Sequence, residues 1–138
     1  MQLKELMTRG VETIAPDASL SEAAKKMQAQ DIGALPVGRN QDLVGMITDR
    51  DIAVRAVARG LDPNSTKVED VMTRDVYTCS AGSDIADAMK LMEEMQVRRI
   101  VVSDTNDRPV GIVSLGDLAL HIRQETSGEV LKEVSKPS

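Results

Sequence analysis

Apolar and polar positions switch period along this chain, and the switches come in the same order twice. Short β-type runs at Val11 to Ile14 and Val76 to Cys79 are followed by the turn-forming stretches Ala15-Pro16-Asp17-Ala18 and Ser80-Ala81-Gly82-Ser83. The period then becomes helical. Leu20, Ala23, Ala24 and Met27 form an apolar stripe, matched by Ile85, Ala88, Met89 and Met92; Ser19 with Glu22 and Asp84 with Asp87 stand at capping distance before them. Strands are expected at Leu35-Pro36-Val37 and Ile100-Val101-Val102, polar turns at Arg39 to Asp42 and Asp104 to Arg108, and returning strands at Leu43 to Ile47 and Val110 to Val113. Each pair can close as a hairpin. A helix from about Asp49 to Arg59 is stopped by Gly60 and Pro63, and a weaker counterpart runs from about Gly116 to Gln124. Leu61 to Glu69 reads as a linker, and Thr126 to Ser138 as a polar tail prone to fray.

The residues repeat along with the pattern. Met7-Thr8-Arg9 returns as Met72-Thr73-Arg74, and an offset of 65 holds as far as Asp42. After one extra residue in the second turn the offset is 66, so that Val44-Gly45-Met46-Ile47-Thr48 matches Val110-Gly111-Ile112-Val113-Ser114. A single duplication of this length predicts two half-domains stacked about a pseudo-twofold axis, with sites in related pairs near it. The expected fold is α/β (α+β): two β-α-β-β-α repeats at residues 6–62 and 70–124, forming one compact unit, then a polar tail at 125–138. With 138 residues in all, each half is marginal for burying a core alone, so a shared core is expected.

Composition narrows the function. A net charge of −5 argues against a duplex nucleic-acid binder, which needs a concentrated basic face, although a local basic pocket stays open. The single cysteine cannot form an internal disulfide, and neither a leader nor a membrane-spanning apolar run is evident, so a reduced cytoplasm is the expected location, with no membrane partner. Eight Met with no Phe and no Trp suggest a pliable aliphatic core. Dinucleotide and Walker-type glycine loops are missing, and the calcium-like start Asp104-Thr105-Asn106-Asp107 is broken by Arg108 and Pro109, leaving a hairpin turn. Cys79 takes the place of Ile14 and reads as a core thiol, while His121 is the only histidine. Neither a catalytic constellation nor a metal-ligand cluster is visible, so the chain is not expected to be an enzyme.

One constellation carries information. Gly45-Met46-Ile47-Thr48-Asp49-Arg50-Asp51 is matched by Gly111-Ile112-Val113-Ser114-Leu115-Gly116-Asp117. Thr48 with Asp51, and Ser114 with Asp117, have the spacing of a helix cap, and capping alone would explain them. Their company says more: glycine, two apolar residues, Thr or Ser, and Asp three positions on recur after a hairpin in both copies. With the repeated Met-Thr opening and the strand openings Ile32-Gly33-Ala34-Leu35-Pro36-Val37 and Val97-Arg98-Arg99-Ile100-Val101-Val102, the chain resembles the CBS-domain (cystathionine β-synthase motif) family in its tandem-pair form. The resemblance spans roughly residues 3 to 124. Its first half is similar to small stand-alone pairs of the hypoxic-response type.

That resemblance implies a regulatory module that holds an adenosine-containing ligand, such as AMP, ADP, ATP or S-adenosylmethionine, between the repeats. Asp51 and Asp117 would then bond ribose hydroxyls, Thr48 and Ser114 would support ribose or phosphate, and adenine would lie near Thr13 and Ile14 or Thr78 and Cys79. Chemistry agrees: a carboxylate can accept from two adjacent hydroxyls, and a helix N-terminus favours a nearby anion. Basic residues at the positions of Arg98 and Arg99 often reach phosphate in the family, and the first copy has Gly33 and Ala34 there, so unequal clefts are expected. The competing reading pairs Arg98 and Arg99 with Glu93, Glu94 or Asp104 at the surface. Arg50, Arg55 and Arg59 read first as a solvated helix face and second as phosphate contacts. The family's habit, with the small apolar residues Ile52, Ala53, Ala56 and Val57, implies a homodimer, although these residues could equally face their own sheet; with no attached catalytic or transport domain evident, an effect is expected to pass to a separate protein. A ligand-free interaction module, whose Asp residues are only caps, is the alternative.

Overall fold

The computed structural model describes residues 1–40 and 42–135, with side chains in the last helix described as far as Glu125. A 3-10 turn at Leu3–Glu5 leads into β1 (Thr8–Arg9), α1 (Leu20–Gln30), β2 (Ala34–Arg39), β3 (Asp42–Thr48) and the closing helix α2 (Asp49–Asp51), which continues as a π segment over Ile52–Val57. The second copy follows as α3 (Val68–Val71), β4 (Thr78–Ser80), α4 (Ile85–Met95), β5 (Arg99–Ser103), β6 (Pro109–Ser114) and α5 (Leu115–Ser135).

Local chemistry accounts for the matched elements. Ser19 Oγ accepts from the Glu22 N–H at 3.1 Å and Glu22 Oε2 accepts from the Ser19 N–H at 3.2 Å, so two of the unpaired amides at the start of α1 are satisfied. In α4 the cap is simpler than expected: Asp84 accepts from the N–H of Ala86 at 3.1 Å, with no part for the Asp87 side chain. Both helices end on a left-handed residue, Asp31 at φ 52° and Gln96 at φ 55°. Leu20, Ala23 and Met27 of α1 are buried, as are Ala88 and Met92 of α4. Each hairpin pairs antiparallel with a register shift at the same place, between Val37 and Gly38 and between Val102 and Ser103.

The copies differ at their first strand. β4 pairs parallel with β5 through Thr78, Cys79 and Ser80, and Ala81 extends the ladder by donating to the Ser103 carbonyl at 2.9 Å. The run at Val11 to Ile14 instead contributes one bridge, from Ile14 to Val37. Its next donor would be Pro16, the counterpart of Ala81, and proline has no N–H to give. A four-stranded sheet β1-β6-β5-β4 therefore faces a two-stranded sheet β2-β3.

Three further expectations need correction. Leu61 to Glu69 is not all linker, because α3 begins at Val68, which is fully buried. The last helix does not stop near Gln124 but runs to Ser135, ending just before Lys136, a position at which the following Pro137 disfavours helical geometry; residues 136–138 of the expected tail lie outside the described residues. The core is not single either. One cluster gathers Leu20, Leu35 and Ile47 of the first copy with Val68, Val71 and Met72, which open the second. The other gathers Ile100, Val113 and Leu118 of the second copy with Leu3, and Leu6 and Met7 pack on it. Each half is thus completed by the opening segment of the other repeat. A third cluster, Val11, Ala34, Met46, Val101 and Ile112, lies where the halves meet.

The exchange is symmetric bond for bond. Leu3 donates to Ser83 at 2.9 Å and Lys4 to Ala81 at 3.0 Å; at the matched positions Val68 donates to Ala18 at 2.8 Å and Glu69 to Pro16 at 2.9 Å.

Candidate functional site

Where each hairpin gives way to a closing helix, the chain places Thr48 or Ser114 as the N-cap. Thr48 Oγ1 accepts from the Asp51 N–H at 3.0 Å and Asp51 Oδ2 accepts from the Thr48 N–H at 3.0 Å. The second copy has the same reciprocal box, at 3.0 and 3.1 Å between Ser114 and Asp117. Capping is therefore a role these residues fill in both copies.

Beyond the cap the corners diverge. Asp117 is exposed, whereas Asp51 retains 7% of its surface. What covers Asp51 is the opening segment of the second repeat. Thr73 and Met46 exchange both backbone hydrogen bonds at 2.8 Å, bringing the Thr73 hydroxyl to 3.3 Å from each oxygen of Asp51. This approach needs glycine at position 45, since a Cβ there would meet Met72 Sδ at 2.6 Å and the Thr73 carbonyl oxygen at 2.8 Å. Gly111 plays the same part beneath Met7 and Thr8, with contacts of 2.6 and 2.7 Å. From the π segment, Arg55 Nε stands 3.8 Å from Asp51, and its Nη1 donates to the Val71 and Met72 carbonyls, both at 3.3 Å.

Thr48, Asp51 and Thr73 share the wall of a cavity of about 300 Å³ with Arg50, Arg55, Arg98 and Arg99. The structure thus brings together six of the residues singled out from the sequence, Thr48, Asp51, Arg98 and Arg99 with Arg50 and Arg55, and adds Thr73. Among the described residues, Arg50, Arg98 and Arg99 have no acidic partner within 4.0 Å and no side-chain hydrogen bond. The surface pairing considered for Arg98 and Arg99 is not formed. Glu94 sits 3.9 Å from Lys90, and Asp104 accepts from the N–H groups of Asn106 and Arg108 in its own turn, bonds that hold its carboxyl below the ordinary range.

Ser114 and Asp117 stand at the other corner. The positions matching Arg50, Arg55, Arg98 and Arg99 there are Gly116, His121, Gly33 and Ala34, so every guanidinium is lost. The expected adenine walls line neither corner's cap. Thr13 borders a separate cavity of about 380 Å³ between the hairpin turns, beside Val11, Leu43 and Arg108. Ile14 is buried in the first core because its side chain points inward from the bridge to Val37. Thr78 is exposed on β4, and Cys79 packs against the second core, where burial first and then the nearby Asp87 push its thiol pKa up. Thr73 was legible, in the repeated Met-Thr pair, as a repeat marker but not as a partner for Asp51.

The family model for the CBS domain matches residues 3–57 and 68–124. The chain belongs to the CBS-domain family. It is 40% identical to the CBS domain-containing protein YhcV of Bacillus subtilis, over 96% of this chain and 94% of that one. It is 36% identical to hypoxic response protein 1 of Mycobacterium tuberculosis, over 97% of this chain and 94% of that one. A crystal structure of Hypoxic Response Protein I with two coordinated zinc ions aligns with a TM-score of 0.71, at 38% identity, covering 88% of this chain and 98% of that one. The CBS domain pair of the protein MJ0100, solved with 5'-methylthioadenosine and S-adenosyl-L-methionine, aligns with a TM-score of 0.77 at 28% identity, over 91% and 98% of the two chains. Among the described residues of this CBS pair, His, Cys, Asp and Glu form no group of three that could hold a metal ion, and no helix is long and apolar enough to cross a membrane.

Proposed function

We propose that the Thr48–Asp51 corner binds an adenine nucleotide and that binding modulates a separate protein. The carrying observation is the cavity in which a buried carboxylate faces three guanidiniums without acidic partners. Two ribose hydroxyls can donate to Asp51 in place of the long contacts from Thr73, while the arginine forks take phosphate. The adenosyl ligands held by the MJ0100 pair support the same class of ligand here. Thr73 links that carboxylate to the junction between halves, so a ligand that competes for Asp51 has different affinity for two arrangements of the halves and shifts their populations.

A thermal-shift series with AMP, ADP, ATP, S-adenosylmethionine and NAD tests the reading, because binding to the native state alone raises the melting temperature. Asp51→Asn should weaken the best ligand by about 1 to 3 kcal/mol in calorimetry. If no ligand shifts the melting temperature, the ligand-free module stands instead, with Asp51 and Asp117 as caps.

The assembly proposed is a homodimer through the closing helices, where Val54, Val57, Leu120 and Ile122 are 53%, 65%, 50% and 40% exposed. Light scattering coupled to size exclusion should give twice the 14.9 kDa chain mass; the monomer mass at micromolar concentration rejects it.

A further inference from the structure

The opening run of the first repeat is fastened to its hairpin by different means from that of the second. In the second repeat β4 is held to β5 through Thr78, Cys79 and Ser80, and the ladder is extended at both ends, where Val101 donates to Tyr77 at 3.0 Å and Ala81 to Ser103 at 2.9 Å. The residues matching those two end donors are Pro36 and Pro16, and neither has an N–H. What remains is the bridge at Ile14, which donates to Pro36 and accepts from Gly38, both at 3.0 Å. A further tie is lost with them: the Ser103 hydroxyl donates to the Cys79 carbonyl at 3.4 Å, and its counterpart is Gly38. The first copy has instead a clasp from outside, Lys26 of α1, whose Nζ donates to the Thr13 carbonyl at 2.9 Å and lies 3.1 Å from a carboxylate oxygen of Glu12. Leu91 stands at the matched place in the second copy and can make neither contact.

We propose that residues 11–15 are a strap that opens locally, leaving the rest of the first core folded, and that Lys26 is its clasp. With both end bonds of the ladder gone, opening costs less than at β4. The clasp is a weak one, because the side chains of Lys26 and Glu12 are 29% and 66% exposed and salt screens the pair. Val11 and Ile14, 8% and 7% exposed, oppose opening, so the closed form predominates at rest. The strap also bounds a site. Val11 and Thr13 form one wall of the cavity of about 380 Å³ at the hairpin turns, and Leu43, Arg108 and Pro109 belong to the two hairpins across from them. Opening the strap widens that cavity, so a molecule that fits only the wider form would hold the strap open by differential affinity for the two states.

Native-state hydrogen exchange on the full chain, at rising urea below the unfolding transition, tests the strap at the matched amides of Ile14 and Cys79 and of Gly38 and Ser103. After correction for intrinsic rates, Ile14 and Gly38 should exchange at least about tenfold faster than their counterparts, the scale of the lost ladder bonds, with little dependence on urea. Lys26→Leu should speed Ile14 exchange several-fold, and about 0.5 M sodium chloride should move the wild type toward that variant without changing the variant itself. Pro36→Val restores one donor and should slow Ile14 exchange about fivefold; should that variant fail to fold, the Lys26 and salt comparisons still decide. Equal protection within the matched pairs, Ile14 exchange that rises with urea as steeply as that of the buried hairpin amides, or no change in Lys26→Leu overturns the proposal, and each leaves the nucleotide reading of the Asp51 corner as it stands.

Discussion

The corners at Asp51 and Asp117 share a backbone, a cap and a supporting glycine, yet one carboxylate is buried among cations and the other lies open. The comparison separates two jobs that one motif can perform. Closing the helix requires only the Thr or Ser and the Asp, and both copies do it. Making a ligand wall requires side chains brought from elsewhere: Thr73 from the opposite repeat, Arg55 from the π segment, and Arg98 and Arg99 from the strand opening. A repeat preserves its scaffold through a few backbone-dictating residues, while the function of each copy turns on positions the scaffold leaves free.

The largest expected effect would show the scaffold to be common to both copies. Gly45→Ala and Gly111→Ala should each destabilise the fold by up to about 3 kcal/mol, because each new Cβ meets a backbone carbonyl as well as a methionine sulfur. Denaturant titration of the two variants checks it; a loss confined to one would break the symmetry. Next comes the divergence. Asp51→Ala leaves Arg55 and Thr73 without their partner and should cost about 2 kcal/mol, against about 1 kcal/mol for Asp117→Ala, where only an exposed cap is lost. Equal losses in the same titration would mean that the burial of Asp51 adds nothing.

A smaller contrast sharpens the role of the opening segments. Thr73→Val should lower stability by about 1 kcal/mol, while Thr8→Val changes it by less than about 0.5 kcal/mol, since among the described residues no hydrogen bond joins Thr8 to Asp117. Thermal melts of the pair decide it. The smallest effect concerns Cys79, which stands where the first copy has Ile14. Its raised thiol pKa means less thiolate at a given pH, so alkylation by iodoacetamide near neutrality should run several-fold slower than for a free cysteine, rising as pH climbs toward the folded value. A rate equal to that of free cysteine would show that the burial is not sustained in solution.

Much of this architecture is written in the sequence because its signals are local. The stripes of α1 and α4, the glycines at 45 and 111, and the Thr–Asp and Ser–Asp spacings each lie within one element. The segments Leu3-Lys4-Glu5-Leu6 and Val68-Glu69-Asp70-Val71 are too short for a helical period to declare itself, so α3 hides in an apparent linker. Pro16 gives the reason for the missing first strand only once its counterpart, Ala81, is seen donating a ladder bond. The site was harder still. Thr73 reaches Asp51 across 22 residues of chain, and no periodicity reports a contact between elements of different repeats. The arginines at 98 and 99 were legible as an asymmetry between copies, but that they share a cavity with Asp51 rather than Asp117 depends on how the halves dock.

The exchange of opening segments also has a consequence in time. During synthesis the first core can close once Met72 has emerged, with every contributor already made. Leu3, Leu6 and Met7 are translated before the elements they pack on, and the strand on which Thr8 pairs ends only at Ser114, so these residues must remain uncommitted until both repeats are nearly made. Closing so long a loop costs only slowly increasing entropy, but it makes the joining of the first repeat's opening segment to the second repeat's last strand a late event. A bulky fusion placed directly before Leu3 should therefore slow maturation of the second half, which is distant in sequence, more than that of the first.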